Sequence, residues 1–568
     1  MRYRLAVSLV LLVAALCIPP TGRAEDFFLT IGGGHSPTGN QLSLERNVIF
    51  QQSVLAEQRP DKPRYDVYFA DGNDNMRDLQ CRDPDFEANC PPARRMMAEL
   101  FGDADSMDLF YRTNQVQGLS GPAEKSLIRR RMRDLARELR PGDRLLVYVT
   151  GHGGPADDSD DDDDDYEYEY DDESQTWRAR ERRREGEDER NRYDTSFYMW
   201  ESDSVSASEF AGWLDRLPHE VEVVLVMVQC FAGGFAHTIF QQADADLGLA
   251  PHARCGFFAQ VHNRGAAGCT ADANEADYEE YSSYFWSALG GRTRTGEEIG
   301  SADYNRDGQV SFAEAHAFAI IESDTIDVPV RTTGALLQRY SRQARPRRRR
   351  SNDEDDNSFG RILGSLGSQG ASPNPQGLIQ ASGPLARLIE SARADQRAIL
   401  ERLPAKLGLG PNATVEDARR KLREVRGDSN SAGSRLRRAT ETEERSLERV
   451  QEELREIWPE LHADLPPLAI ELASNRADEF EETVAALPSY KALQRSKERV
   501  EQLSEERMKF EREEARLQRL LQTCESVALA ANLPRLAPRE IVERYQRLLA
   551  MEEGTLVQSR EQGARSRE

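Results

Sequence analysis

The sequence predicts an α/β fold, a mostly parallel sheet flanked by helices, followed by a C-terminal all-α region. Three observations carry that expectation. Short apolar runs rich in β-branched residues alternate with amphipathic stretches through residues 25–330, the pattern that parallel crossovers need. Two of these runs end at glycine-bounded residues able to do chemistry, and open α/β sheets place their ligands at the carboxyl ends of strands. Beyond residue 385 the apolar residues change to helical spacing.

The predicted strands are 27–31, 66–70, 144–150, 222–228 and 256–261. Their near-continuous apolar character is that of strands buried on both faces. The stretches 42–55, 124–139 and 206–217 supply amphipathic helices between them. In the C-terminal region, 385–548, one seam contains Leu436, Ala439, Leu447, Val450, Leu454 and Ile457. A second contains Leu493, Val500, Leu503, Phe510, Leu517 and Leu521. Arg507 and Glu514 interrupt the second seam, so a small bundle or antiparallel hairpin fits better than a long coiled coil. Pro459, Pro466, Pro467 and Pro488 punctuate these helices.

Composition divides the chain further. It has 568 residues, 31% of them charged and 38% hydrophobic, so part of its length lacks the apolar content for a core. The stretch 157–192 is an acidic tract followed by an Arg-rich one and reads as a disordered insertion directly after His152. Residues 342–382 read as a disordered linker, with the basic run Arg345 to Arg350 near its start, and 549–568 as a disordered tail. A net charge of −24 argues against nucleic-acid binding.

Residues 1–24 have the pattern of a secretory signal: Arg2 and Arg4, an apolar stretch over 5–18, then Gly22 and Ala24. That stretch is short for a membrane span, and export to the periplasm or the extracellular space is expected. Without Cys17, six cysteines remain; in an oxidising compartment Cys81–Cys90 and Cys255–Cys269 are the simplest pairings.

The chemistry centres on two motifs. Strand 144–150 runs into Gly151-His152-Gly153-Gly154, and strand 222–228 into Gln229-Cys230-Phe231-Ala232-Gly233-Gly234. A thiol and an imidazole at neighbouring strand ends make a candidate nucleophile and acid/base. Glycines beside His152 let backbone approach a substrate and free the Gly153 N–H as an oxyanion donor. The turn after Cys230 opens a helix, whose N-terminus favours a thiolate. Either residue alone is more often structural, because free cysteine is a habitually buried residue; it is their pairing that points to catalysis.

These motifs resemble those of the caspase/legumain-type cysteine peptidases, and Gln229-Cys230-Phe-Ala-Gly-Gly-Phe235 with Cys255-Gly-Phe-Phe-Ala look most like bacterial relatives of legumain. The resemblance covers about residues 25–330. It implies a caspase-like sandwich and an endopeptidase acting on protein or peptide substrates. Cys230 would form the thioester, His152 would protonate the leaving amine, and the N–H groups of Gly153 and Cys230 would hold the oxyanion. The long insertion after His152 departs from the family pattern, and no basic residue aligns with the one legumain uses to bind asparagine. The loops at 32–41, with His35 and Asn40, and at 265–270 should line the site by topology. Two alternatives remain: a regulatory or interaction protein on the same fold, whose C-terminal helices recruit a protein partner, and a dyad hydrolase of non-peptide acyl or amide substrates.

A separate motif spans 303–314. Asp303, Asn305, Asp307, Ser311 and Glu314 place side-chain oxygens at positions 1, 3, 5, 9 and 12 of a calcium loop, and Gln309 offers its carbonyl at position 7. Gly308 makes the turn and Val310 is the apolar anchor, as in the EF-hand family that this loop resembles. One structural Ca2+ is expected. The competing reading is an Asp/Asn/Gly turn capping the next helix. His35, His219, His237, His252 and His262 have no zinc-ligand spacing.

Overall fold

The structure, a computed structural model, describes residues 24–156, 166–171, 176–181, 191–342, 377–462 and 467–557. The predicted signal sequence and most of the linker lie outside them. Five parallel strands, β1 (Asp26–Gly32), β2 (Arg64–Phe69), β3 (Arg144–Thr150), β4 (Glu222–Met227) and β5 (Arg254–Phe258), form the sheet with a short antiparallel edge, β6 (Val330–Arg331). Their order is β6-β5-β4-β3-β1-β2. All five long strands fall where the apolar runs predict them. The two residues of β6 have no such run.

Alternation within each strand explains the continuous apolar runs. Phe28, Leu146, Tyr148, Val224, Val226 and Phe257 face one layer of helices, and Leu29, Leu145, Val147, Val223 and Leu225 face the other. The second layer contains α2 (Lys125–Glu138) and α3 (Ala207–Leu214), through Ile128, Met132, Phe210 and Trp213. The first contains α1 (Leu42–Gln58), α4 (Tyr281–Gly290), α5 (Phe312–Glu322) and α6 (Thr332–Tyr340). Leu336 and Leu337 of α6 are core residues, so the α/β unit extends past the expected boundary at 330.

The C-terminal region is an antiparallel hairpin of two long helices, α8 (Val415–Ile457) and α9 (Pro488–Leu536), preceded by α7 (Ala394–Lys406) and followed by α10 (Arg539–Glu552). Arg426 pairs with Glu514 and Arg435 with Glu506, so the two chains run in opposite directions and Glu514, which breaks the apolar seam, is an ion-pair partner. These helices are not an appendage. Leu533, Ile541, Tyr545, Leu548 and Met551 belong to the same apolar cluster as the sheet, each worth roughly 1.5–3 kcal/mol of burial.

Two expectations of disorder need correction. Residues 549–552 complete α10, and 553–557 return to the sheet: Arg144 donates to Thr555 O at 2.9 Å and Arg59 to Leu556 O at 3.0 Å, with Leu556 buried. The tail is ordered there because two buried arginines need its carbonyls. Within the charged insertion, Tyr166–Asp171 pairs antiparallel with Thr176–Glu181. The register sets Glu167 opposite Arg180 and Glu169 opposite Arg178. The rest of the stretch 157–190 lies outside the described residues. Among the described residues no helix is long and apolar enough to cross a membrane.

Candidate active site

Strands β3 and β4 are adjacent and parallel, so the segments leaving their carboxyl ends meet. Gly153 lies so close to the second segment that a Cβ there would stand 2.3 Å from the Cys230 carbonyl oxygen and 2.8 Å from Ser196 O. Only glycine fits. Residues Gly153–Gly154 pair antiparallel with the strand Ser196–Met199, and Tyr198 N–H donates to His152 O at 2.9 Å. Amides alternate in direction along such a ladder, so the Gly153 N–H points away from that strand and is free of its hydrogen bonding.

His152 is half-buried. Its Nε2 lies 2.8 Å from Gly39 O and 2.9 Å from Gln41 Oε1, and the Gln41 amide nitrogen donates instead to Thr38 O. Both partners of Nε2 are therefore acceptors, which places the proton on Nε2 and leaves the Nδ1 lone pair for chemistry. The His35 ring stands edge-on to His152 at 5.6 Å between centroids. Burial, and then His35, lower the pKa of His152 to about 4.

Cys230 receives the Ala266 N–H on its sulfur at 3.2 Å. Phe231, next in sequence, has φ +58°, a left-handed turn that a non-glycine residue adopts at a cost of order 1–3 kcal/mol. Burial raises the thiol pKa to about 11; the Ala266 backbone contact opposes this and the nearby Asp327 carboxylate adds to it. The helix that follows Cys230, expected to favour a thiolate, is a 3-10 helix, Ala232–Ile239, and burial of the sulfur acts in the opposite direction. No hydrogen bond joins Cys230 to His152; their side-chain hydrogen bonds are those to Ala266 and to Gly39 and Gln41.

The loops expected around the site are there. Gly32–Gln41 supplies His35, Gly39 and Gln41, and Asn40 bridges Gly34 N–H to Asp78. The 265–270 segment supplies Ala266 and carries Cys269, whose thiol pKa is raised by burial and, after it, by the neighbouring Cys230. Asp327 and the buried Gln260 also reach this segment; nothing in their sequence context marks them. Tyr198 lies on the unpredicted strand Ser196–Met199 and packs on His35. All six described cysteines are free thiols, so neither expected disulfide forms. Cys255 sits within β5 in the sheet core, whereas Cys269 packs against a different apolar cluster, with Cys81.

The 303–314 loop is wrapped around its own carboxylates. Asp303 accepts from Asp307 N–H and Gly308 N–H, and Gly308 has φ +89°. Glu314 accepts from the N–H groups of Tyr304 and Asn305 through Oε1 and from Ser311 through Oε2, closing a capping box on α5. Thr555 donates to the Gln309 side chain and Phe312 N–H to Gly554 O, so the loop is tied to the C-terminal segment. Among the described residues no group of three or more His, Cys, Asp or Glu side chains is gathered as a metal site. The oxygen-only donor set, with Asn305, Gln309 and Ser311, suits a hard cation.

Comparison with known proteins adds little. No family model and no curated protein matches the chain. Among solved structures it is similar to the crystal structure of protein GSU0716 from Geobacter sulfurreducens, at 11% identity over 52% of this chain and 88% of that one, with a TM-score of 0.27; that likeness is too low to bear on function.

Proposed function

We propose that the protein is an exported cysteine endopeptidase of the caspase/legumain type. The observation that carries the reading is the imidazole of His152, held through Nε2 by Gly39 O and Gln41 with Nδ1 left over, on the strand next to the one that ends at Cys230. In the reaction the Cys230 proton passes to the imidazole as sulfur bonds to the scissile carbonyl carbon. The imidazolium then protonates the departing amine as the C–N bond breaks, and water, deprotonated by the neutral ring, cleaves the thioester. The N–H groups of Gly153 and Cys230 face the developing oxyanion. Burial disfavours the charged forms of both the Cys230 thiol and the His152 imidazole, and in this reading substrate binding joins the two.

Calcium at Asp303, Asn305, Asp307, Gln309, Ser311 and Glu314 belongs to the same proposal as a structural cation bracing the contact between α5 and the C-terminal segment. The exposed faces of α8 and α9 are the surface such a protein would offer to a partner. The test is cleavage of a mixed P1 peptide library by the protein and by Cys230→Ala, with and without calcium. Cleavage that needs Cys230 supports the reading; its absence in all conditions sinks it. The lack of a Cys230–His152 hydrogen bond favours, as a second reading, a regulatory protein on the same fold, which the same null result would support.

A further inference from the structure

The thiol of Cys230 is connected to the C-terminal helical hairpin through buried groups. Arg519, in the middle of α9, is 1% exposed. Its guanidinium donates to Asp327 O at 2.7 Å, Ser323 O at 2.9 Å, Ile320 O at 3.2 Å, Thr325 O at 2.9 Å and Thr325 Oγ1 at 3.0 Å. It thereby caps the end of α5 and sets the loop 323–327. The Asp327 carboxylate at the end of that loop, also 1% exposed, accepts the Ala267 N–H on Oδ1 at 2.8 Å. The preceding N–H, of Ala266, is the one aimed at Cys230 Sγ. Gln260 ties the same two segments a second time, accepting from Val328 N–H and donating to Gly265 O.

We infer that Asp327 and Arg519 are positioning residues for Cys230: the helical hairpin holds, through Arg519, the loop whose Asp327 carboxylate keeps the Ala266 N–H on the thiol sulfur. The inference rests on the proposed function only for its catalytic consequence. Asp327 acts on the thiol in two opposed ways. By holding the 266–267 backbone it keeps a donor on sulfur, which favours the thiolate; by its charge it disfavours it. The charged groups around Asp327 are Arg519 and Arg264, with Glu280 and Tyr281 on α4 and its approach. Asp327 Oδ2 is buried with no hydrogen-bond partner, so its negative charge is weakly compensated on the side away from Ala267.

Site-specific alkylation of Cys230 by iodoacetamide, followed on its own peptide by mass spectrometry from pH 6 to 10, separates the two effects. Asp327→Asn keeps an acceptor and removes the charge, and alkylation at pH 8 should rise at least threefold. Asp327→Ala removes the hold as well and Arg519→Lys loosens the loop; both should slow alkylation at least threefold. If peptides are cleaved, both should also lower kcat at least tenfold with KM within twofold. A merely structural role moves the variants together, in proportion to their loss of melting temperature. If Asp327→Asn and Asp327→Ala shift alkylation in the same direction, or stay within twofold of the parent, the inference is overturned. Should Asp327→Ala fail to fold, Asp327→Asn against Arg519→Lys supplies the same contrast. Opposed alkylation shifts in a protein that cleaves no peptide would reject the peptidase and keep the positioning.

Discussion

Asp395 tests whether the C-terminal helices are part of the α/β unit's stability. It lies at the start of α7, 4% exposed, and accepts from Arg331 of β6 at 2.9 Å and Arg393 at 3.0 Å. Glu552 at the end of α10, fully buried, accepts from the same two arginines at 3.1 and 3.4 Å and from Thr333 at 2.6 Å. Two guanidiniums thus face two carboxylates where sheet, α7 and α10 meet. Asp395→Asn leaves one positive charge without its counter-charge at a dry junction, a loss of about 3–5 kcal/mol. At about 2 °C per kcal/mol for a large cooperative unit, the melting temperature should fall by roughly 6–10 °C in scanning calorimetry at pH 7. Burial alone raises the Asp395 pKa, but Arg393 and Arg331 overcome it and hold the carboxyl below its usual range. A depressed carboxyl stabilises above its unfolded pKa, about 3.9, and loses that contribution as pH falls toward its folded value. The gap between parent and variant should therefore be full at pH 7 and narrow below about pH 4. A single transition within 1 °C of the parent at pH 7 would mean that the junction is not a structural tie.

Other perturbations follow from the same contacts. Gly153→Ala forces a methyl against the Cys230 carbonyl and should abolish peptide cleavage while the fold survives by circular dichroism; retained activity would remove that approach from the mechanism. With its pKa near 11, Cys230 should alkylate on the order of a hundredfold more slowly at pH 7 than a free cysteine, and a rate equal to free cysteine refutes the neutral-thiol description. Calcium at about a hundred times its Kd should add roughly 2.7 kcal/mol, seen as a melting temperature several degrees above that in chelator, and Glu314→Gln should erase the difference. Leu556→Ala should cost about 2–5 kcal/mol in a chemical melt; a change below 0.5 kcal/mol would show that the returning tail is not held.

Much of the sheet was legible because a strand buried on both faces needs apolar residues at most positions, as in β1, β3, β4 and β5; the edge strand β2, with Arg64 exposed, shows that character only over Val67–Phe69. The two-residue edge β6 and the strand carrying Tyr198 gave no pattern, since pairs this short are set by their neighbours. His152 and Cys230 were visible through their glycines, and the need for one of those, Gly153, is a contact distance that only the fold reveals. The burial that opposes a thiolate at Cys230 was not legible, because a helix N-terminus is local and can be seen in a sequence, whereas desolvation is a property of everything packed around the sulfur. The returning tail was misread for a related reason: Glu553–Val557 is too short to carry a pattern, and the buried arginines that need its carbonyls lie more than 400 positions away.

Local chemistry determined the α/β class and the order of its strands along the chain, and marked the two candidate site residues and the calcium-type loop, because periodicity and turn residues act over a few positions. Tertiary structure decided the rest. It made the C-terminal helices part of the core, placed the proton of His152 on Nε2, and set Asp327 and Arg519 behind Cys230. Each of those outcomes depends on which distant groups share a desolvated volume, and no stretch of sequence contains that information.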